Sequence, residues 1–195
     1  MDERLLKADT IVFDIGNVLL RFDPDKVALL LPASIRQPLM QVLFGPQHLW
    51  GGFDLGAESN EEIARRAAGA ANLPGTEEHV LSLLSRFPET MAPLPLAGML
   101  RDLRQSGKRL YALTNYPEPS FTLTAQRFPF VTEEMDGVVV SSREKRVKPD
   151  PELFRILCRR YGIHPNDALF IDDTRANTDA AALLGFRVWH YTGTV

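Results

Sequence analysis

The 195-residue chain has a single cysteine, Cys158, so no disulfide can form within it. That fits a reducing compartment, and a cytoplasmic location is expected. Cys158 lies among Leu153, Phe154, Ile156 and Leu157, a pattern that assigns it to the core and not to nucleophilic chemistry. Excess positive charge is also missing. The formal net charge is -3, which removes the basic field that nucleic acid or an anionic membrane surface requires. No apolar run is long enough to cross a bilayer, and the most apolar early stretch, Ile11–Leu20, is interrupted by Asp14. The first ten residues are charged and hold no signal-peptide core. Internal repeats and low-complexity tracts are lacking. What remains, 45% hydrophobic and 24% charged, is the balance of an ordinary globular protein. Its length suits one compact domain, or one domain with a smaller insertion, as a monomer or homodimer.

Five short runs rich in β-branched and aromatic residues read as buried parallel strands: Thr10–Phe13, Leu110–Leu113, Gly137–Val140, Ala168–Ile171 and Arg187–Tyr191. Helical patterns over Leu96–Gln105, Pro151–Tyr161 and Asn177–Leu184 each stop at a glycine. This alternation predicts an α/β fold, a Rossmann-like parallel sheet with helices on both faces. Between about Asp23 and Pro93 the alternation fails and the pattern is helical: Asp25–Leu31, Ser34–Phe44, Asn60–Ala71 and Thr76–Phe87. Ser59 or Asn60, and Thr76, precede acidic first turns and read as N-caps. The expected organisation is an α/β core of residues 1–21 and 94–195 with a helical cap, 22–93, inserted after the first strand.

In open α/β sheets, functional groups gather past the carboxyl ends of the strands. Asp14-Ile15-Gly16-Asn17 follow the first strand, Thr114-Asn115 the second, Lys148 comes in the loop after the third, and Asp172-Asp173 follow the fourth. Three carboxylates sharing one crevice repel each other unless a cation neutralises them. An all-oxygen cluster suits Mg²⁺, with Lys148 and Thr114 facing an anionic substrate. Asn177 reads as a bridge that fixes the acidic loop. Arg143, Lys145 and Arg146 read as a solvated basic loop.

The segments FDIGNVL (13–19), LTN (113–115), KPDPELF (148–154) and FIDDTRANTDAA (170–181) stand in the order of the four motifs of the haloacid dehalogenase-like superfamily. The chain resembles that family throughout its core, and the wording FDIGNV is most similar to the bacterial α-glucose 1-phosphate phosphatase group. The resemblance implies a Mg²⁺-dependent phosphatase for a small phosphorylated substrate. Asp14 is then the nucleophile that forms an aspartyl-phosphate. Backbone N–H groups at Ile15 and Gly16, with Thr114 and Asn115, cradle the phosphoryl oxygens. Lys148 neutralises phosphate and holds Asp14. Asp14, the Gly16 carbonyl and Asp173 bind the metal, with Asp172 a direct or water-mediated neighbour.

One position departs from the family. Most of its phosphatases carry an aspartate two residues after the nucleophile, which protonates the leaving alcohol; here that residue is Gly16. A sugar 1-phosphate, whose anomeric hydroxyl is more acidic than an ordinary alcohol, fits this loss, with a cap residue or water as proton donor. A 2-haloacid dehalogenase, which needs neither acid nor metal, is an alternative, and a non-catalytic module binding a phosphorylated ligand or a partner is another. Inside the cap, Trp50 and Asp54 lie on a glycine-rich stretch, Gly51-Gly52 to Gly56, read as a loop. An aromatic face and a carboxylate suit a sugar ring, so both are candidate substrate contacts. His48 shares that stretch.

Overall fold

The computed structural model describes residues 2–45 and 49–193; His48 lies outside the described residues. The chain begins with α1 (Glu3–Leu6), β1 (Thr10–Phe13) and β2 (Leu20–Arg21). A helical block follows: α2 (Pro24–Ala28), α3 (Ala33–Phe44), α4 (Trp50–Leu55), α5 (Asn60–Ala70) and α6 (Glu77–Arg86). Next come β3 (Ala92–Pro93), α7 (Leu100–Gln105), β4 (Arg109–Thr114), α8 (Glu118–Arg127), α9 (Phe130–Glu133) and β5 (Gly137–Val140). The chain continues with α10 (Ser141–Glu144), α11 (Pro151–Tyr161), β6 (Ala168–Asp172), α12 (Arg175–Leu183) and β7 (Arg187–His190).

The main sheet has the order β5-β4-β1-β6-β7 with every neighbouring pair parallel. Strands are added outward from β1 through β4 to β5, and the chain then crosses back to add β6 and β7. Strand order therefore reverses beside β1, and a crevice forms past the carboxyl ends there. Alternation along the strands divides the interior between two faces. Ile11, Phe13, Leu110, Ala112 and Ile171 share a buried cluster with Leu5 of α1, Leu100 and Leu103 of α7 and Phe121 of α8. Val12, Tyr111, Leu113, Ala168 and Phe170 meet Leu153, Phe154 and Leu157 of α11 and Ala181 of α12 on the other face. Helices on both faces explain why the central strands read as unbroken apolar runs. Full burial of each such Leu or Phe contributes roughly 1.5–3 kcal/mol. The sheet edges differ: Arg187 and Val188 of β7 are exposed, and Gly137 and Val138 of β5 only half-buried.

The helical block packs Leu39, Leu43, Ile63, Val80, Leu83 and Leu84 into the first cluster, in continuity with Val18, Leu19 and Leu20. Its two ends leave the sheet side by side. β2 and β3 form a short antiparallel ribbon, Leu20 opposite Pro93 and Arg21 opposite Ala92, and the Leu94 N–H donates to the Leu19 carbonyl at 2.9 Å. Ser59 caps α5 through a reciprocal pair: its hydroxyl accepts from the Glu62 N–H at 3.2 Å, and its own N–H donates to Glu62 Oε2 at 2.7 Å. Such a cap contributes about 1 kcal/mol.

Three sequence readings are corrected. Thr76 precedes α6 but does not cap it, because its hydroxyl donates backward to the Leu73 carbonyl at 2.7 Å. The Leu96–Gln105 pattern is a 3₁₀ turn, Pro95–Met99, followed by α7. Most consequential, the glycine-rich stretch before Gly56 is not a loop but helix α4. Gly51 and Gly52 weaken helix propensity by about 1 kcal/mol each. Packing overrides that: the Trp50 and Phe53 rings meet at 5.3 Å, and Phe53 is buried.

Candidate active site

Asp14 is the first residue past β1, and its N–H donates to the Ile171 carbonyl at 2.8 Å, so strand pairing fixes it at the point where strand order reverses. Its carboxylate is nearly buried and accepts from the Ile15 N–H at 2.7 Å. Lys148 Nζ lies 2.9 Å from Asp14 Oδ1 and 2.7 Å from Asp172 Oδ2, with the lysine side chain only 1% exposed. Asn115, just past β4, holds the lysine loop with both ends of its amide. Asn115 Nδ2 donates to the Lys148 carbonyl at 3.0 Å, and its Oδ1 accepts from the Lys148 N–H at 2.8 Å.

The acidic loop after β6 is equally fixed. Asp172 accepts from Asn177 Nδ2 at 3.0 and 3.1 Å and from the Thr174 N–H at 2.8 Å. Asp173 Oδ2 accepts from Asn17 Nδ2 at 3.2 Å, while the Asp173 carbonyl pairs with His190 Nε2 at 2.8 Å. Asn17 adopts a left-handed backbone, φ 54°, a conformation asparagine tolerates better than most residues. Its Oδ1 also accepts from the Phe22 N–H at 3.0 Å, tying the start of the helical block to the acidic loop.

Asp14, Asp172 and Asp173 each bring a carboxylate oxygen to within 4.8 Å of the others. Against these stands, among the described residues, the Lys148 ammonium. Burial pushes the Asp14 carboxyl up to about 7; Lys148 opposes that shift and the charge of Asp172 adds to it. Asp173 is raised in the same direction by burial and by Asp172. For Lys148, burial alone acts downward, but Asp14 and Asp172 outweigh it and leave the ammonium more firmly protonated than usual. The site is therefore short of positive charge, and a divalent cation on the carboxylate oxygens would relieve it.

A cavity of about 190 Å³ opens over Asp14. Gly16, Asn17, Asn115, Asp173 and Thr174 form its polar floor, and Phe22, Trp50, Phe87, Met91 and Tyr116 its apolar wall. Asp54 of α4 also lines it. Phe22, Trp50 and Phe87 touch one another with ring centroids 5.3–5.9 Å apart, so the wall is one aromatic layer contributed mainly by the helical block.

Of the residues singled out in the sequence, Asp14, Gly16, Asn115, Asp173, Trp50 and Asp54 line this cavity, and Lys148 and Asp172 lie buried against Asp14. Thr114 and Ile15 are buried outside the cavity wall. Asn177 bridges the acidic loop as its spacing suggests. The basic loop is paired: Arg143 Nη2 donates to Glu118 at 2.8 Å, Lys145 to the Gly56 carbonyl, and Arg146 lies 3.5 Å from Asp150. Sequence reasoning missed the positioning roles of Asn17 and Ser141 and the wall residues Phe22, Phe87, Met91 and Tyr116. Ser141 Oγ accepts from the Tyr116 N–H at 2.9 Å and donates to the Asp54 carbonyl at 2.5 Å.

The family model for haloacid dehalogenase-like hydrolases matches residues 8–185. The chain belongs to that family. Among curated relatives it is similar to the sesquiterpene phosphatase astK of Aspergillus oryzae, 23% identical over 94% of this chain and 90% of that one. It is also similar to the phosphoglycolate phosphatase of Nitrosospira multiformis, 31% identical over 70% of this chain and 56% of that one. Among solved structures, a haloacid dehalogenase family enzyme from Bacteroides thetaiotaomicron, in complex with magnesium and inorganic phosphate, superposes with a TM-score of 0.81 over 96% of both chains. At 18% identity that likeness speaks for the fold. Among the described residues, no helix is long and apolar enough to cross a membrane.

Proposed function

We propose that the chain is a Mg²⁺-dependent phosphatase acting on a small phosphorylated metabolite. One observation carries this reading: the buried Lys148 ammonium is shared between Asp14 and Asp172, with Asp173 completing a triad of carboxylates. Asp14, the Gly16 carbonyl, Asp172 and Asp173 would hold Mg²⁺, which when bound neutralises charge on the phosphoryl oxygens. Asp14 attacks phosphorus, the bond to the leaving oxygen breaks, and an aspartyl-phosphate forms for water to cleave. Lys148 fixes the attacking carboxylate and balances the incoming anion. The Gly16 N–H and Asn115, just past the end of β4, cradle the phosphoryl group, with Thr114 buried behind them, and Ile15 joins them once its N–H turns from the Asp14 carboxylate to the phosphoryl oxygens. Phosphoryl transfer depends mainly on such positioning and charge balance.

The leaving group rests against Trp50, Phe22 and Phe87, whose ring faces suit a sugar, with Asp54 as polar contact. A sugar phosphate is therefore the substrate class of first choice, and α-glucose 1-phosphate, suggested by FDIGNV, heads the panel. Phosphate release from sugar phosphates, with and without Mg²⁺, is compared between wild type and Asp14→Asn. The reading expects Mg²⁺-dependent release that vanishes in Asp14→Asn. A wild type that releases no phosphate from any ester, yet frees halide from 2-chloropropionate without metal, would establish the dehalogenase instead.

A further inference from the structure

Gly16 has no side chain from which a proton could be donated. Among the described residues, four titratable side chains line the cavity: Asp14, Asp173, Tyr116 and Asp54. Asp14 is the nucleophile under the proposed function, on which this inference rests, and Asp173 belongs to the acidic triad. The Tyr116 hydroxyl is engaged by Thr124 Oγ1 at 2.7 Å and by Met91 Sδ at 3.2 Å. Asp54 differs. Its Oδ1 is buried and has no hydrogen-bond partner among the described residues, although the side chain lines the cavity. Natural structures seldom leave a buried carboxylate oxygen unpaired, and where they do a catalytic role is one explanation.

The backbone that carries Asp54 is held in place. Ser141 Oγ binds the Asp54 carbonyl, and Lys145 donates to the Gly56 carbonyl at the end of the same helix. Gly56 has φ 64°, and a Cβ there would lie 2.7 Å from Ser142 Cβ, so only glycine lets α4 sit this close to α10. Through these contacts a residue of the helical block keeps a fixed position relative to the nucleophile on the sheet.

We propose that Asp54 is the general acid and base of the reaction, supplied by α4 in place of the carboxylate absent at Gly16. As Asp14 attacks and the phosphorus–oxygen bond breaks, the Asp54 carboxyl gives its proton to the leaving alkoxide, releasing an alcohol. The Asp54 carboxylate then takes a proton from water while the water oxygen attacks the aspartyl-phosphate. Inorganic phosphate leaves and Asp14 is regenerated. The electrostatics agree. Burial pushes the Asp54 carboxyl up to about 7, the charge of Asp14 adds to the shift and Lys148 opposes it. Tyr116 also feels the Asp54 charge, but its hydroxyl is committed to Thr124. A group poised near neutral pH is suited to both proton transfers.

The test compares wild type, Asp54→Asn and Asp54→Ala, as the full chain with Mg²⁺, on two esters. One is a sugar phosphate whose leaving group is an ordinary alcohol; the other is p-nitrophenyl phosphate, whose leaving group needs no proton. Both variants are expected to lose ~10²–10⁴-fold in kcat on the alkyl ester. On the aryl ester each should still give a burst of one p-nitrophenolate per chain, at close to the wild-type rate, with phosphate then trapped on Asp14. The burst also reports that the variant is folded. Turnover of the alkyl ester at the wild-type rate by either variant overturns the Asp54 inference alone, as does equal loss on both esters without a burst. A wild type that releases phosphate from neither ester overturns the phosphatase reading and this inference with it.

Discussion

Lys148 Nζ lies 2.9 Å from Oδ1 of Asp14 where the lysine side chain is 1% exposed. A lone ammonium at such a site would be strongly disfavoured; it persists because Asp14 and Asp172 both accept from it. Lys148→Met should therefore do more than stop catalysis. It leaves two buried carboxylates facing each other without a counter-charge, and removing one partner of such a pair costs about 3–5 kcal/mol. The urea midpoint should drop accordingly at pH 8 without divalent metal, and added Mg²⁺ should restore more stability to the variant than to the wild type. An unchanged midpoint would show that the pairing carries little of the folding energy.

Asn177 predicts a separable effect. Its amide donates to both oxygens of Asp172 and is not among the cavity residues. Asn177→Ala should loosen the acidic loop, and loss of such an orienting partner typically lowers metal affinity ~10–100-fold. In a Mg²⁺ titration of phosphate release the half-saturating concentration should rise by that factor, while kcat at saturating Mg²⁺ changes little. A fall in kcat with unchanged Mg²⁺ dependence would place Asn177 in another role.

The sheet was legible because its central strands are buried on both faces, and the apolar runs Thr10–Phe13 and Gly137–Val140 match β1 and β5 to the residue. The floor of the site followed from what comes after each strand. Its wall did not. Phe22, Trp50 and Phe87 are far apart in sequence and meet only through the packing of the helical block, and α4 forms despite two glycines because that packing outweighs local propensity. The region 117–133 was silent for a related reason. α8 and α9 are short and rich in proline at their starts, which breaks the apolar period on which a helix is recognised. Asn17 went unread because a left-handed asparagine leaves only a weak local signal.

Gly16 is unusual in the family pattern, and its surroundings decide whether glycine is required there. A Cβ at this position would meet nothing within 4 Å, and its φ is not in the left-handed region. Gly16→Ala should therefore be accepted, with stability unchanged or raised by up to about 1 kcal/mol through reduced freedom of the unfolded chain. Its carbonyl remains available to a metal, so Mg²⁺-dependent turnover should stay within a few-fold of wild type. Thermal melts and a Mg²⁺ titration check both halves. A large loss of stability would mean that the turn after β1 needs a conformation that alanine resists.

Asp54 links stability to pH. Its carboxyl ordinarily titrates near 3.8 and is raised to about 7 in the folded chain, chiefly by burial. Below about pH 4 it is protonated in both states and its contribution to folding is fully present. As pH rises toward 7 the unfolded chain releases the proton while the folded chain retains it, and stability is lost progressively; above about 7 the loss is complete. Asp54→Asn escapes this penalty. Without divalent metal, the melting temperature of the variant relative to wild type should rise by several degrees between pH 5 and pH 8, since about 1 kcal/mol moves a chain of this size by ~2–4 °C. Asp14, raised in the same direction by burial, is present in both proteins. A difference that stays flat with pH would mean that the buried carboxyl is not strained by its charge. A rising difference together with lost alkyl phosphatase activity would mark Asp54 as a residue kept for chemistry at the expense of stability.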